Sequence, residues 1–121
     1  MADTLKVHFV KSTAEDGIVD LVPTGVTSTK TILSMVICNV GETAANDATF
    51  DIYIYGVGYE DGSSGNTNIR LYNNQSLPDK STFIHDSKIV LKPADTFKFV
   101  QKDTPISNAI HITTSYLDQT S

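Results

Sequence analysis

The feature that most constrains this chain is an apolar alternation with a period of two residues, clearest across residues 30–57. There KTILSMVICNV, a polar GETAAND segment and ATFDIYIYGV read as two long strands joined by a tight reversal. Successive strand side chains point to opposite sides of a sheet, so Phe50, Ile52 and Ile54 share one face and Asp51, Tyr53 and Tyr55 the other. The first three are expected in the core.

The same style runs through the rest of the chain. In LKVHFV, Leu5, Val7 and Phe9 alternate with Lys6 and His8, and GIVDLV precedes a break at Pro23. NIRLYNN, STFIHDSKIVLK, DTFKFVQ and NAIHITTSYL follow, with a turn at Lys92, Pro93, Ala94 and Asp95 between strands at 88–91 and 96–100. Ile110 and Ile112 share a face with Thr114 and Tyr116. The pattern gives about eight strands, no helix and no repeat. It predicts an all-β chain: a single antiparallel β-sandwich or jelly-roll-like domain over residues 1–121, whose first 22 residues form N-terminal strands open to use as an assembly arm.

Residues 31–40 differ from the other strands. Ile32, Val36, Cys38 and Val40 are read as one face, with Leu33, Met35 and Ile37 making the opposite face apolar too, so the strand is expected to be covered on both sides. The second cover is either a part of the same chain or another subunit. With Val36 read as core, Val36→Asp is expected to unfold the domain.

Composition excludes several functions. Fourteen acidic residues stand against nine Lys and Arg, with Arg70 the only arginine and a net charge of −5, which opposes binding to a phosphate backbone. Nucleic acid is not an expected partner. Cys38 is the only cysteine, so no intramolecular disulfide and no multi-thiolate metal site can form. The start MADTLK lacks a basic region followed by an apolar one, and no apolar run approaches the roughly 20 residues of a membrane span. The expectation is synthesis in a cytoplasm, a soluble product and no membrane partner.

Chemistry-bearing residues do not gather into a motif. His8, His85 and His111 fall on three separate strands without ligand-pair spacing, and His85 with Asp86 lacks a Gly-x-Ser-x-Gly elbow to supply a nucleophile. The polar stretch at residues 58–68 reads as a surface loop, in which Glu60 and Asp61 do not match the spacing of a calcium loop. No catalytic residue, cofactor or metal is assigned, and the chain is not expected to be an enzyme. Tyr53, Tyr55, Tyr59 and Tyr72 are candidate contact residues, because aromatics give large contact area at low ordering cost. Leu33, Met35 and Ile37 join them as the second apolar face of their strand.

A resemblance can be placed on particular residues. Ile37, Cys38, Asn39 and Gly41 match an I-x-x-I-V-I-C-N strand with its following glycine, and Phe50, Ile52 and Ile54 match an F-x-I-x-I strand. Pro78 and Thr82 match a P-x-x-x-S/T-x-x-F segment, in which Phe83 stands two residues before the pattern's Phe, and Leu91, Asp95 and Phe97 match an L-x-x-x-D-x-F/L turn. Over most of residues 24–117 the chain resembles small β-sandwich virion proteins of tailed bacteriophages. The resemblance implies a structural component of a phage particle, assembled in the host bacterial cytoplasm and placed in many copies. The leading reading is a capsid decoration or cement protein, a homo-oligomer with a trimer favoured, whose partners are capsid proteins. Two others stand beside it: a neck, tail or baseplate adaptor bound to tail proteins, and a carbohydrate-binding module using Tyr59, Glu60, Asp61 and Asn66, for which the chain has no Trp platform.

Overall fold

Alternating apolar residues build strands and nothing else in the described residues of the computed structural model, which describes residues 2–12, 17–23, 28–40, 47–57, 66–93, 95–102 and 110–120. In chain order the strands are β1 (Ala2–Lys11), β2 (Ile18–Asp20), β3 (Ser28–Asn39), β4 (Ala48–Val57), β5 (Asn66–Leu77), β6 (Thr82–His85), β7 (Ile89–Leu91), β8 (Thr96–Gln101) and β9 (Ile110–Thr120). They form two antiparallel sheets. One runs β1-β9-β3-β6 with β7 also paired to β3, and the other runs β2-β8-β4-β5.

The difference between nine strands and the expected eight has a simple origin. β6 pairs with Met35 to Cys38 and β7 with Lys30 to Ile32, so the two lie end to end along one edge of β3. Taken as one interrupted strand, they leave two four-stranded sheets in the order 1-8-3-6 and 2-7-4-5. Successive strands therefore alternate between sheets except at the paired hairpin of β4 and β5, which is the interleaved double Greek key of a jelly roll.

The core lies between the sheets. Ile32, Met35, Ile37, Ile110 and Ile112 face it from the first sheet, and Phe50, Ile52, Phe97 and Phe99 from the second, all essentially without solvent exposure. Phe50 packs on Phe99 at 5.3 Å between ring centres and on Phe83 of the opposite sheet at 5.4 Å, edge to face. Such pairs add to area burial, so Phe50 ties both sheets together. Phe50 and Ile52 sit where expected; Ile54 is only partly buried at the margin of the cluster.

β3 corrects the sequence reading. Its register with β9 shifts between Ile32 and Ser34, leaving Leu33 as the extra residue of a bulge. A bulge reverses the alternation on one side of it. Ile32 thus joins Met35 and Ile37 in the core, while Val36 turns outward with 39 % exposure. Val36→Asp therefore places a charge at the surface and is not expected to unfold the domain. Met35 and Ile37 are filled by intramolecular packing and present no surface to a partner.

Candidate interaction faces

Each sheet turns one face to the core and the other outward, and strand register fixes which side chains share the outward face. In the first sheet Phe9 lies beside Thr113, Thr113 beside Val36 and Val36 beside Ile84. A parallel row joins Leu5, Leu117, Thr31 and Val90, and between them run Val7, Ser115 and Ser34. The large members are strongly exposed: Phe9 73 %, Leu5 68 %, Ile84 63 % and Val90 62 %. None of these rows contains an ionisable carboxylate, lysine or arginine. Charge on this face appears on β1 only at Asp3 and Lys11, beyond the apolar rows.

The relief of this face follows from side-chain size. β1 forms one ridge through Leu5, Val7 and Phe9, Ile84 and Val90 form another, and between them lie Thr113, Ser115 and Leu117 of β9 with Val36, Ser34 and Thr31 of β3. Along the β1 side of the face, Phe9, Lys11, His111 and Thr113 line a groove of about 370 Å³. His111 Nε2 has no hydrogen-bond partner there. Cys38, half-buried, stands next to His111 in the adjoining row.

The outward face of the second sheet is built differently. Its central row is Asp20, Lys98, Tyr53 and Arg70. Lys98 pairs with Asp20, and the Arg70 guanidinium stacks over the Tyr53 ring at 4.7 Å while Nη1 lies 3.3 Å from Asp51 Oδ2. Asp51 is nearly buried, and its Oδ1 accepts the Asn74 backbone N–H at 2.7 Å. Asn74 holds φ at 53°, a left-handed conformation that Asn tolerates better than most residues. This face neutralises its own charges.

At the edge where β5 and β6 meet, the Tyr72 hydroxyl and His85 Nδ1 share a hydrogen bond of 2.5 Å, and His85 Nε2 donates to the Ser87 carbonyl at 2.7 Å. Burial, then nearby Asp86, pushes the Tyr72 phenol above its ordinary pKa. At the far end of the sandwich, buried Lys30 donates to Ser28 Oγ at 3.1 Å, and Lys6 Nζ pairs with Asp118 at 3.0 Å. Hydrogen bonds from Ser28 and Lys6 hold the Asp118 carboxyl below its ordinary value, and the Lys30 charge adds to this.

The residues singled out from sequence scatter over this framework. Leu33 is half-buried at the bulge, Met35 and Ile37 are core, and Tyr53 is held under Arg70. Tyr55 is exposed on the second sheet, Tyr72 packs into the aromatic cluster with its hydroxyl on His85, and Tyr59 lies outside the described residues, as do Glu60 and Asp61. His8, His85 and His111 stand on β1, β6 and β9, and among the described residues no group of three or more His, Cys, Asp or Glu could hold a metal ion. The residues that sequence reasoning missed are Leu5, Val7, Phe9, Ile84 and Val90. Their alternation was visible, but alternation does not say which face is inside.

Comparison with known proteins bears on fold. No protein-family model matches the chain, and no curated protein sequence matches it. Among solved structures, it is similar to a chain of the T13 IBDV viral particle at 10 % identity and a TM-score of 0.52, over 98 % of this chain and 31 % of that one. A chain from the infectious bursal disease virus Gx strain gives 11 % identity and a TM-score of 0.53, over 96 % and 32 % respectively. The chain thus spans about a third of the length of these virus chains. At such identity the likeness is one of fold: a jelly roll also found in an icosahedral virus particle.

Proposed function

We propose that this protein is a non-enzymatic structural component of a bacteriophage virion, a capsid decoration or cement protein that binds the assembled shell and stabilises it. The observation that carries this reading is the jelly roll whose first sheet presents, among the described residues, exposed apolar rows from Leu5 to Phe9 and from Ile84 to Val90 on its outer face. Contiguous exposed apolar surface of this kind marks interaction sites. The likeness to virus-particle chains and the resemblance to phage virion proteins support the same setting. Its mechanism is stabilisation by binding, in which modest contacts repeated over many copies give strong overall attachment. The phage host's cytoplasm is where assembly takes place.

Co-sedimentation tests it, using assembled shells that lack the protein and, separately, isolated tails. Saturation of shells at a fixed ratio is the expected result. Binding to tails alone moves the protein to the neck, tail or baseplate, and saturable binding on a glycan array in the absence of both moves it to host attachment.

A further inference from the structure

We propose that the open edge of β1 pairs antiparallel with the β1 edge of a second copy of this chain, joining two first sheets across a two-fold axis at Val7. The pairing requires no shell or tail and stands apart from the assembly role.

The two sheets end in four strand edges, and three of them are blunted. β2 has three residues, and the edge made by β6 and β7 is split into runs of four and three. β5 is long, but its pairing with β4 shifts register twice and Asn74 within it is left-handed. Short, broken or bulged edges protect a sheet against pairing with another chain. β1 has none of these devices: it runs ten residues without Pro, in unshifted register with β9, and no other strand lies beside it among the described residues. Lys6, on its inner side, is neutralised by Asp118, and Asp3 through Val7 are exposed in succession.

The open edge has a defined phase. The Ser12 N–H donates to the Ile110 carbonyl at 2.9 Å, and the register from Ala2 to Lys11 is continuous with that bond. Residues that bond across an antiparallel pair alternate with residues that do not, so Thr4, Lys6, His8 and Val10 bond to β9. Asp3, Leu5, Val7, Phe9 and Lys11 turn their N–H and C=O groups to the open side. With Val7 on the axis these five oppose the same five of the second copy, about ten hydrogen bonds in all, as many as a typical specific interface carries.

Side chains select the second copy and the register. Leu5 then stands against Phe9 of the second copy and Asp3 against its Lys11, each twice, while Lys6 meets a histidine and Thr4 a valine on the inner side. An axis at Lys6 would set that lysine against itself, and an axis at His8 would set Leu5 against Lys11 and carry Asp3 past the end of β1. Each copy has a net charge of −5, but β1 contributes one acid and two lysines, so like charge does not gather at the contact. A two-fold contact closes at two copies, unlike the trimer expected from sequence.

Sedimentation of the purified protein up to about 200 μM should show the mass rising to twice that of the chain, for a dissociation constant of about 10–100 μM. The Leu5, Val7 and Phe9 amides should exchange with solvent quickly in the dilute monomer and slow at least about twofold at the highest concentration, while those of Lys6 and His8 are slow throughout. Val7→Pro removes an outward donor and no bond to β9, so it should keep the fold and weaken the dimer at least about tenfold. Asp3→Lys and Lys11→Asp should each weaken it about threefold or more, and the double variant should restore it. Ser34→Arg, on the outer face away from the edge, should leave it intact. A monomer throughout this range, a trimer, a dimer unaffected by Val7→Pro or one lost in Ser34→Arg overturns the proposal. If Val7→Pro does not fold, the charge reversals decide, and a double variant no tighter than its parents overturns the pairing. Shell binding is scored separately, so a monomer that saturates shells refutes the dimer alone, and a dimer that binds no particle refutes the cement role alone.

Discussion

The two sheets share one core and differ in what they show to water. On the second sheet, Asp20 with Lys98 and Asp51 with Arg70 close a neutral ladder in which the Tyr53 ring is held beneath a guanidinium. On the first, the corresponding positions are Leu5, Val7, Phe9, Val36, Ile84 and Val90. A sheet meant to meet only water gains nothing from that second arrangement, since each exposed apolar side chain forfeits the transfer free energy it would gain on burial. The contrast teaches that partner-facing surface on a sandwich is recognised by comparing one sheet with the other, not by counting exposed aromatics.

The sharpest way to break the comparison uses two adjacent residues of one strand. Met35→Ala should cost about 2–5 kcal/mol in denaturant unfolding, because it opens a cavity between the sheets. Val36→Asp, one residue on, should change stability by no more than about 1 kcal/mol. An unfolded Val36→Asp protein would show that the outer face is needed within the monomer.

The next effect belongs to the charged sheet. Asp51→Ala leaves the Asn74 N–H and the Arg70 guanidinium without their shared acceptor, and a cost of about 1–3 kcal/mol is expected by chemical denaturation. Equal loss in an Arg70→Ala variant and no further loss in the double variant would show that the pair acts as one unit.

Acidity and alkalinity both probe the Lys6–Asp118 pair of the first sheet. Asp118 has a lowered folded pKa, so its contribution is complete above the ordinary carboxylate range of about 4 and is lost as pH falls through the lowered value. Lys6, raised chiefly by its hydrogen bond to Asp118, behaves oppositely: its contribution is complete below its ordinary value of about 10 and is lost as pH rises through the raised one. Thermal melting against pH should therefore fall at both extremes, and Asp118→Asn should flatten both limbs.

The smallest expected effect is at the open edge. Tyr72→Phe removes the hydroxyl bridge to His85 while keeping the ring packed between Phe50 and Phe83, at a cost of about 1 kcal/mol by urea unfolding.

Much of this fold was legible in the sequence, and the limits have physical causes. Alternation located the strands and placed Phe50 and Ile52 correctly, because a period of two leaves no choice about which residues share a face. It could not tell that Leu5, Val7 and Phe9 look outward, since an apolar edge strand has the same pattern facing either way. The continuous apolar run of β3 signalled cover on both sides, yet the one-residue bulge at Leu33 exchanged its faces, and no residue type there announces a bulge. Tyr53 and Tyr72, read from sequence as candidate contact residues, are instead buried under Arg70 and packed into the aromatic cluster against His85, which is set by pairings across strands. The interleaved strand order is likewise a property of long-range pairing, invisible to local pattern.

Cys38 gives the uncharged face its own reporter. As the only thiol in the chain, it stands in the row next to Phe9 and Val36 and is partly open to solvent. Its rate of reaction with a small alkylating reagent is consequently a footprint of that face, readable by mass in the unmodified protein. Slowing of that rate when shells are added would time the covering of the face and its uncovering, without a label or a substitution to disturb either.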